Sequence, residues 1–577
     1  MPSVELLDSR RLTGANLVSD VAGAVIDGRV EGVDVDRFLG SWGRRAEEAL
    51  QAVGWPDETR ATRIFPGGVT VFHSAPVDAL YAATEVNEWA WAAAAADVGA
   101  GNRPEALDLA APRLRGLIAE ESNPALLSLR DAAAARGLTF LSDDDNASVG
   151  LGTGSGTWPV DALPSPEDVP WSELADVPRA LVTGTNGKTT TVRMLAHIAA
   201  AADRRAGFTC TDGIYVDGAV VEAGDWSGPG GARALLRDGR VEVAILETAR
   251  GGMLRRGLAV DRAQAALVTN VAEDHLGEWG VATVEGVAAA KLVVAKAVRH
   301  GAPLVINADD PVLAPAARAL GRSITWISAE GDAGVPEAGE TLWTLEDGWL
   351  VRREGGAQTR IVEIATVPAT LGGAAVYNVS NALGAAALAH ALGFTDSAIH
   401  QGLLAFDPTP DSSPGRTNMF EVGGVRILVD FVHNPHGFMA VGRMVRALGP
   451  ERVGLMVGHA GDRDDEAIRD LARAAWTLAP ERVAVKELPN YRRGRAPGEI
   501  PALIRSELLR QGAREETVSI HDDEVPAARA LLEWCRPGDL LLFASQSQRK
   551  AILQLVRALE DGGWRPGARF PDPSQPE

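Results

Sequence analysis

The chain has 577 residues, 46% of them hydrophobic, and a formal net charge of −21. This length predicts several domains with cores of their own, and the negative charge argues against a general nucleic-acid or anionic-membrane surface. The two cysteines, Cys210 and Cys535, have no pairing or metal-binding spacing, which predicts buried structural thiols. We recognise no signal peptide and no apolar run long enough to span a bilayer, so we expect a cytosolic protein.

The first predicted domain covers residues 1–165 and has a mixed α/β pattern. It ends in two stretches that are rich in glycine, proline and acidic residues, Gly152–Gly156 and Pro159–Pro170. Such composition is typical of a linker. We interpret the glycine run as a flexible linker and not as a phosphate loop, because it shares only its glycine content with one.

A phosphate loop is predicted directly after the apolar strand Ala180–Thr183. The loop Gly184-Thr185-Asn186-Gly187-Lys188-Thr189-Thr190 is followed by a helical pattern, which gives the strand, loop and helix order of nucleotide sites. The glycines let backbone N–H groups and the helix start face an anion, while Lys188 adds positive charge and the Thr189 hydroxyl can hold Mg²⁺. The common form of this motif has a glycine where this chain has Val182.

The second predicted domain covers residues 171–410 and alternates short β-branched runs with helical patterns. This alternation is typical of a mostly parallel sheet covered by helices. Helices are expected to begin near Lys188, Val284, Val312 and Asn378. The predicted strands are Ala180–Thr183, Val241–Leu246, Ala265–Thr269, Leu304–Asn307 and Ile324–Ile327, with a hairpin insert formed by Leu342–Val351 and Ile361–Thr366.

The third predicted domain, residues 411–577, repeats the alternation and is expected to be a Rossmann-like α/β domain with its own sheet. Its tail, from Arg565, is rich in proline and is expected to be disordered beyond its first residues. The fold class predicted for the whole chain is therefore multidomain α/β. The predicted strands are Arg426–Val429, Val453–Val457, Val483–Val485 and Leu540–Phe543.

Three further groups follow predicted strands: Glu247, the segment Thr269–His275, and Lys291. Ligands of open α/β sheets bind at this strand edge. Each residue also has a structural alternative, since Glu247 can end a strand in solvent and an isolated histidine such as His275 is more often structural. Lys291 lies in a helical pattern, whose phase alone does not decide whether it faces the site or the solvent.

These groups together resemble the central ATPase domain of the Mur ligase superfamily, in which GTNGKT is the form of the phosphate loop. The resemblance runs from Arg179 into the C-terminal region. Within the superfamily, the sequence most resembles the ligase half of the cyanophycin synthetases. The ATP-grasp module expected in those enzymes has no room in this chain. The finer resemblance is carried by Thr211–Tyr215, Gly224–Pro229, Glu247–Leu258 and His433–Gly437; the broader one continues through Asn307–Pro311, Tyr377–Asn381, Gly415–Asn418, Asp430–Pro435 and Gly461–Asp464.

The resemblance implies a role for each candidate residue. Lys188 and the loop amides would hold the ATP phosphates, and Thr189 with Glu247 would hold one Mg²⁺. His275 would bind a second Mg²⁺ together with a carbamylated Lys291. Residues expected near the nucleotide are Asn307, Asn378, Asn381, Arg416 and Asp430. Helix capping remains an alternative for Asn378, and the basic residues Arg250, Arg255 and Arg256 could equally bind an anionic acceptor or form a surface cluster.

The predicted function is that of an ATP-dependent amide ligase that activates a carboxylate as an acyl phosphate and joins it to an amino-acid amine. The carboxylate would belong to a small molecule or short peptide, and the protein could form a homo-oligomer. A hinge near residue 411 would close the ATP site. Two alternatives remain: a ligase of the folylpolyglutamate type that adds glutamate, and a non-catalytic nucleotide-binding scaffold or partner subunit.

Overall fold

The computed structural model describes residues 2–274, 276–299, 301–331 and 339–570. These residues divide into two compact units. Unit 1 contains the chain up to Thr344 with Arg352–Thr359 and Leu383–Gly402. Unit 2 contains Leu345–Val351, Arg360–Ala382 and the chain from Leu403 onward.

Unit 1 begins with a four-stranded antiparallel sheet in the order β1-β2-β4-β3. Helix α1 packs on it through the buried side chains Phe38, Trp42 and Leu50. The Asp34 carboxylate caps this helix by accepting from the Arg37 amide at 2.7 Å. The elements of this part are β1 Ser3–Leu12, β2 Gly23–Glu31, α1 Val35–Val53, β3 Arg60–Phe65, β4 Gly68–Ser74, α2 Leu80–Asp97, α3 Leu107–Glu121 and α4 Pro124–Ala135.

The glycine run at 152–156 is not a flexible linker, and that prediction is wrong. A small antiparallel sheet precedes and follows it, formed by β5 Phe140–Ser142, β6 Asn146–Val149 and β7 Gly156–Pro159. Gly152–Gly154 is a 3₁₀ turn whose Thr153 amide donates to the Val241 carbonyl at 2.9 Å. A Cβ at Gly152 would lie 2.3 Å from that same carbonyl oxygen, so the glycine permits close backbone packing and not mobility.

The central part of unit 1 is a largely parallel sheet with helices, as predicted. Its strand order is β11-β10-β9-β12-β8-β13-β14-β15-β16. In this spatial order, every neighbouring pair between β9 and β16 is parallel. The edge strands differ, because β10 pairs antiparallel with both β9 and β11. The elements are β8 Arg179–Thr183, α5 Lys188–Ala201, β9 Ala206–Cys210, β10 Gly213–Val216, β11 Ala219–Ala223, α6 Pro229–Leu236, β12 Val243–Glu247, α7 Arg250–Arg256, β13 Ala265–Val268, α8 Val284–Lys291, β14 Leu304–Asn307, α9 Leu313–Arg318, β15 Thr325–Ser328 and β16 Thr341–Glu346.

The predicted hairpin insert differs from the structure in its strand boundaries. The segment read as one strand, Leu342–Val351, is broken at Asp347 and Gly348, which both have positive φ angles, into β16 and β17 Trp349–Glu354. The next strand is β18 Ala357–Glu363, and residues 364–366 form a 3₁₀ turn instead of continuing it. Two helices follow, α10 Val376–Ala391 and α11 Asp396–Ala405.

Unit 2 contains a six-stranded sheet in the order β19-β20-β24-β21-β22-β23, parallel except for the β19–β20 pair. Its central strands are buried on both faces, as the apolar runs predicted. The elements are β19 Asn418–Val422, β20 Val425–Asp430, α12 Pro435–Leu448, β21 Val453–Val457, α13 Asp465–Trp476, β22 Arg482–Lys486, α14 Glu499–Arg510, β23 Val518–His521, α15 Glu524–Trp534, β24 Leu540–Ala544 and α16 Arg549–Asp561.

The multidomain α/β fold class is thus confirmed. Both cysteines are buried and unpaired, as expected, and burial raises the pKa of each thiol to about 12. Within the described ranges, no helix has the length and apolar character needed to cross a bilayer. The predicted disordered tail lies mostly outside the described residues, which end at Phe570.

Candidate nucleotide and metal site

The loop between β8 and α5 has a backbone that requires glycine at one position and favours it at a second. Gly184 has a φ angle of 146°, and a Cβ there would lie 1.8 Å from the Thr269 hydroxyl oxygen. Gly187, the residue before α5, has a φ angle of 87°. This conformation leads the chain into the start of α5, where free amide groups and the helix dipole attract an anion.

Asn270, just after β13, fixes the other side of this loop. Its carbonyl accepts from the Thr185 amide and its side-chain oxygen from the Asn186 amide, both at 2.9 Å. Its side-chain nitrogen donates to the Asn186 carbonyl at 3.1 Å. The sequence placed Asn270 at a strand edge but gave it no role, because pairing between two loops 84 residues apart is a tertiary feature.

The Lys188 ammonium group folds back over the loop that it follows. It donates to the carbonyl oxygens of Gly184 at 3.0 Å and Thr185 at 3.1 Å. Both acceptors are neutral, so the lysine keeps a full positive charge available to phosphate oxygens at the helix start. The predicted phosphate-binding residues Gly184 to Thr190 therefore form one continuous loop and first helical turn.

Glu247, the last residue of β12, lies beside this first turn and is 1% exposed. One carboxylate oxygen accepts from the Thr189 hydroxyl at 2.8 Å, and the other accepts from the Thr211 hydroxyl at 3.2 Å. Thr189 and Glu247 thus present two oxygen ligands to the same place next to the loop. This donor set fits Mg²⁺, which is commonly bound by one or two carboxylates together with substrate phosphates. Sequence reasoning gave Thr211 no part in holding Glu247.

Lys291 points inward from the last turn of α8 and is 4% exposed, so it is not the surface lysine of the alternative interpretation. Burial lowers its pKa well below the usual value, and the charge of Lys188 lowers it further, against the opposing effect of Asp274. These neighbours place the Lys291 amine near the phosphate loop. His275 lies outside the described residues. Among the described ones, no cluster of three or more His, Cys, Asp or Glu residues could hold a metal.

Asn307, at the end of β14, faces the same strand edge. Its side-chain nitrogen donates to the Thr269 carbonyl at 2.9 Å, and its oxygen accepts from the Asp309 amide at 3.0 Å. The first bond joins the ends of β13 and β14, and the second fixes the turn after β14, so together they orient the strand end. Its predicted position near the nucleotide stays a prediction.

The remaining predicted nucleotide contacts lie in unit 2 and are linked through Thr417. The side-chain nitrogen of Asn378 donates to the Ala369 carbonyl at 2.8 Å, and its side-chain oxygen accepts from the side-chain nitrogen of Asn381 at 3.0 Å. Asn378 lies inside α10 and does not cap it, so the capping alternative is wrong. The Thr417 hydroxyl accepts from Asn378 at 3.4 Å, and the Thr417 amide donates to Asp430 at 2.8 Å.

Arg416 and Asp430 belong to the same group: Arg416 precedes Thr417 in the chain, and Asp430 accepts from its amide. The Arg416 guanidinium lies over the Phe431 ring at 4.2 Å. Burial raises the pKa of Asp430, although the Thr417 amide and the Arg416 charge oppose that shift. Their predicted roles in nucleotide binding, like those of Asn378 and Asn381, stay predictions.

The loop after Asp274 is held from both sides within unit 1. Arg63, on β3, donates to the carbonyls of Trp279 at 2.8 Å and Gly280 at 3.0 Å. Arg250, the first residue of α7, pairs with Glu278 at 3.0 Å. Trp279 has a φ angle of 48°, a strained value for an aromatic residue that these contacts sustain. Arg250 is therefore not part of an exposed surface cluster, whereas Arg255 is exposed. Binding of an anionic acceptor by these arginines stays a prediction.

Two family models match this chain. The Mur ligase middle domain matches residues 182–389, and the Mur ligase glutamate ligase domain matches residues 415–547. Cyanophycin synthetase from Synechocystis sp. is 38% identical over 388 residues, which are 66% of this chain and 44% of that protein. The chain thus spans less than half the length of this curated relative.

The chain is also similar to a second curated ligase and to a solved structure. UDP-N-acetylmuramoylalanine–D-glutamate ligase from Thermobifida fusca is 36% identical over 239 residues, covering 40% of this chain and 44% of that protein. The structure of E. coli FolC with ADP has a TM-score of 0.50 and 21% identity, covers 67% of this chain and 90% of that one, and shows a shared fold. With both domain models matched in order, the chain belongs to the Mur ligase superfamily, where its homologues include the cyanophycin synthetases.

Proposed function

We propose that this protein is an ATP-dependent amide ligase. The observation that carries the proposal is the contact of Thr189 with the buried Glu247 carboxylate at 2.8 Å, beside a glycine loop and a lysine. A structural turn needs no buried acid next to its helix start. A site for a triphosphate with Mg²⁺ needs both the cationic loop and the anionic metal ligand.

The proposed reaction has two steps. A carboxylate oxygen of the first substrate attacks the γ-phosphorus of ATP, and the bond to ADP breaks to give an acyl phosphate. The amine of the second substrate then attacks the acyl carbon, loses a proton and expels inorganic phosphate. No covalent bond to the protein forms.

The residues of the chain act by position and charge. The loop amides and the Lys188 ammonium orient the β- and γ-phosphates and offset the charge that collects as the two oxygens approach. Thr211 holds Glu247 in the orientation that faces Thr189. Bound between Thr189 and Glu247, Mg²⁺ would supply further neutralisation of the phosphate charge.

We also propose the class of substrates. Similarity to the cyanophycin synthetases suggests an amino-acid amine, arginine among the candidates, joined to an aspartate side chain or to a short peptide. The chain covers only 44% of that relative. Polymer synthesis is therefore not part of the proposal, and a dipeptide or a modified metabolite is an equally suitable product.

Lys291 is proposed to carry a carbamate that binds a second Mg²⁺. Burial and the charge of Lys188 lower the pKa of this amine, which raises the fraction in the uncharged form that attacks CO₂. We expect a carbamate resonance in ¹³C NMR spectra of the protein with ¹³C-bicarbonate, which fades as the pH falls and the amine is protonated. Lys291→Met should lack the resonance, and Lys296→Met, which removes a lysine paired with Asp20, should keep it. A spectrum without it above neutral pH would contradict the carbamate.

The ligase proposal is tested by incubating the protein with MgATP and pooled amino acids and dipeptides. We expect phosphate release that depends on the pool, together with a product whose mass equals the two substrates less one water. A product lengthened by glutamate would instead indicate the folylpolyglutamate type of ligase. ATP binding without turnover in any pool would refute the ligase and favour the scaffold.

A further inference from the structure

A large cavity lies within unit 1, away from the phosphate loop. Its volume is about 1270 Å³, more than most small-molecule sites. The N-terminal part of the chain forms one wall, which includes Asp78 at the turn before α2 and Glu121 at the end of α3. The central part forms the other wall, which includes Arg233 of α6 and the segment Leu258–Arg262.

The charged side chains that line this cavity are mostly acidic. Eight carboxylates and four arginines line it. Some of these acids are already neutralised. Asp144 pairs with Arg11 at 2.8 Å, and Asp143 pairs with Arg237.

Four of the carboxylates form no salt bridge with any residue that the structure describes: Asp57, Glu58, Asp78 and Glu121. The charge of Arg11 acts on Glu121 as well. Asp78 is only 8% exposed, and its one bond accepts the Asn123 amide at 2.8 Å. Glu121 accepts the amides of Tyr81 at 2.9 Å and Ala82 at 2.7 Å. These bonds fix the carboxylates in place and leave further lone pairs for a ligand. Of the four, Asp78 is buried, Glu58 and Glu121 are half-buried, and Asp57 is exposed. A buried charge without a counter-ion is costly, so a cation beside Asp78 would be stabilised.

The cavity also offers one positive group and an apolar face. Arg233 makes no hydrogen bond or salt bridge to any residue that the structure describes, although the charges of Asp143 and Asp144 act on it. Its guanidinium therefore has N–H donors left for the carboxylate of a ligand. Leu126, Leu138 and Phe140 supply apolar surface for an aliphatic chain. We infer that this cavity is a second ligand site for a basic amino acid or a short basic peptide, with its ammonium or guanidinium groups against the four acids.

This site is connected to the nucleotide site by one short helix. The α7 helix begins three residues after Glu247, and its end contacts the N-terminal segment at the cavity wall. There the Thr13 amide donates to the Arg256 carbonyl, and the Leu258 amide donates to the Ala15 carbonyl, both at 2.7 Å. The inference does not rest on the proposed ligase activity, because cation binding requires neither ATP nor metal.

The test is isothermal titration calorimetry of the full chain with EDTA and no nucleotide. The probes are L-lysyl-L-lysine, L-lysine, L-alanyl-L-alanine and L-glutamyl-L-glutamate. We expect saturable binding of L-lysyl-L-lysine, of L-lysine or of both. We expect no binding of L-alanyl-L-alanine or L-glutamyl-L-glutamate. Tighter binding of the dipeptide would indicate a peptide ligand, and equal or tighter binding of lysine would indicate a free amino acid.

Glu121→Gln should weaken the binding about tenfold, since it removes one charge contact, while its single amide oxygen can still accept from one of the two α2 amides. Glu120→Gln is the matched control, because Glu120 precedes it on α3, is exposed and does not line the cavity. Unchanged ATP binding by both variants would show that they are folded. The inference is overturned if neither lysine probe binds, if alanyl-alanine binds as tightly, or if both variants lose affinity equally.

Discussion

Lys188→Ala is expected to remove nearly all ATP-dependent ligation while leaving the protein folded. Among the residues that the structure describes, the side chain forms hydrogen bonds to two neutral carbonyl oxygens of its own loop and no ion pair, so its removal breaks none there. Alanine also has high helix propensity at this first position of α5. What is lost is the positive charge that offsets the phosphates in the transition state, and we expect turnover to fall by about 100- to 1,000-fold.

The measurement is kcat/KM for ATP-dependent phosphate release in the presence of the identified substrates. Lys550→Ala is the control, because it removes an exposed lysine at the start of α16 and should leave the rate unchanged. Thermal unfolding of both variants should match that of the original chain. Normal turnover by a folded Lys188→Ala protein would remove the phosphate-loop assignment.

The phosphate loop could be predicted because its signal is local. A buried strand, two glycines, a lysine and a helix start follow one another within ten residues, so no distant contact is needed to recognise them. The strand-end position of Glu247 followed from the same reasoning. The contacts that Glu247 makes did not, because Thr211 reaches it from a different strand.

Other features depended on tertiary contacts that composition and periodicity do not contain. The helical pattern around Lys291 fits an exposed or a buried side chain, and only the packing of α8 shows that it is buried. The glycines at 152–154 look like a linker, but they let the backbone approach the Val241 carbonyl. Arg63 has no motif around it, and its bonds to Trp279 and Gly280 join segments more than 200 residues apart.

Unit 2 contains a buried ion pair whose disruption should have the largest effect on stability. The Lys486 ammonium donates to Glu524 at 2.5 Å, and both side chains are 0% exposed. Glu524→Gln would leave the lysine charge buried without a counter-ion. We expect the free energy of unfolding to fall by about 3 to 5 kcal/mol, measured by urea denaturation.

The reciprocal change, Lys486→Met, should cost less than Glu524→Gln. Glu524 would still accept the Ser545 hydroxyl at 2.6 Å and the amides of Gln546, Ser547 and Gln548 at 2.8 to 2.9 Å. Lys486 in the opposite case keeps only two neutral acceptors, the Ala544 carbonyl and the Gln546 side chain. Equal losses in the two variants would show that these backbone amides do not stabilise the carboxylate.

The pair also predicts a pH dependence. Burial alone would raise the pKa of Glu524, but Lys486 and the loop bonds outweigh it and lower the pKa to about 2. Because the folded pKa is below the unfolded value of about 4.3, this stabilisation is complete above pH 5 and is lost as the pH falls toward 2. Glu524→Gln should lack this component of the acid dependence. Glu515→Gln is the control: Glu515 pairs with Arg505 at 2.6 Å but is 80% exposed, so we expect a loss below about 1 kcal/mol and an unaltered acid profile.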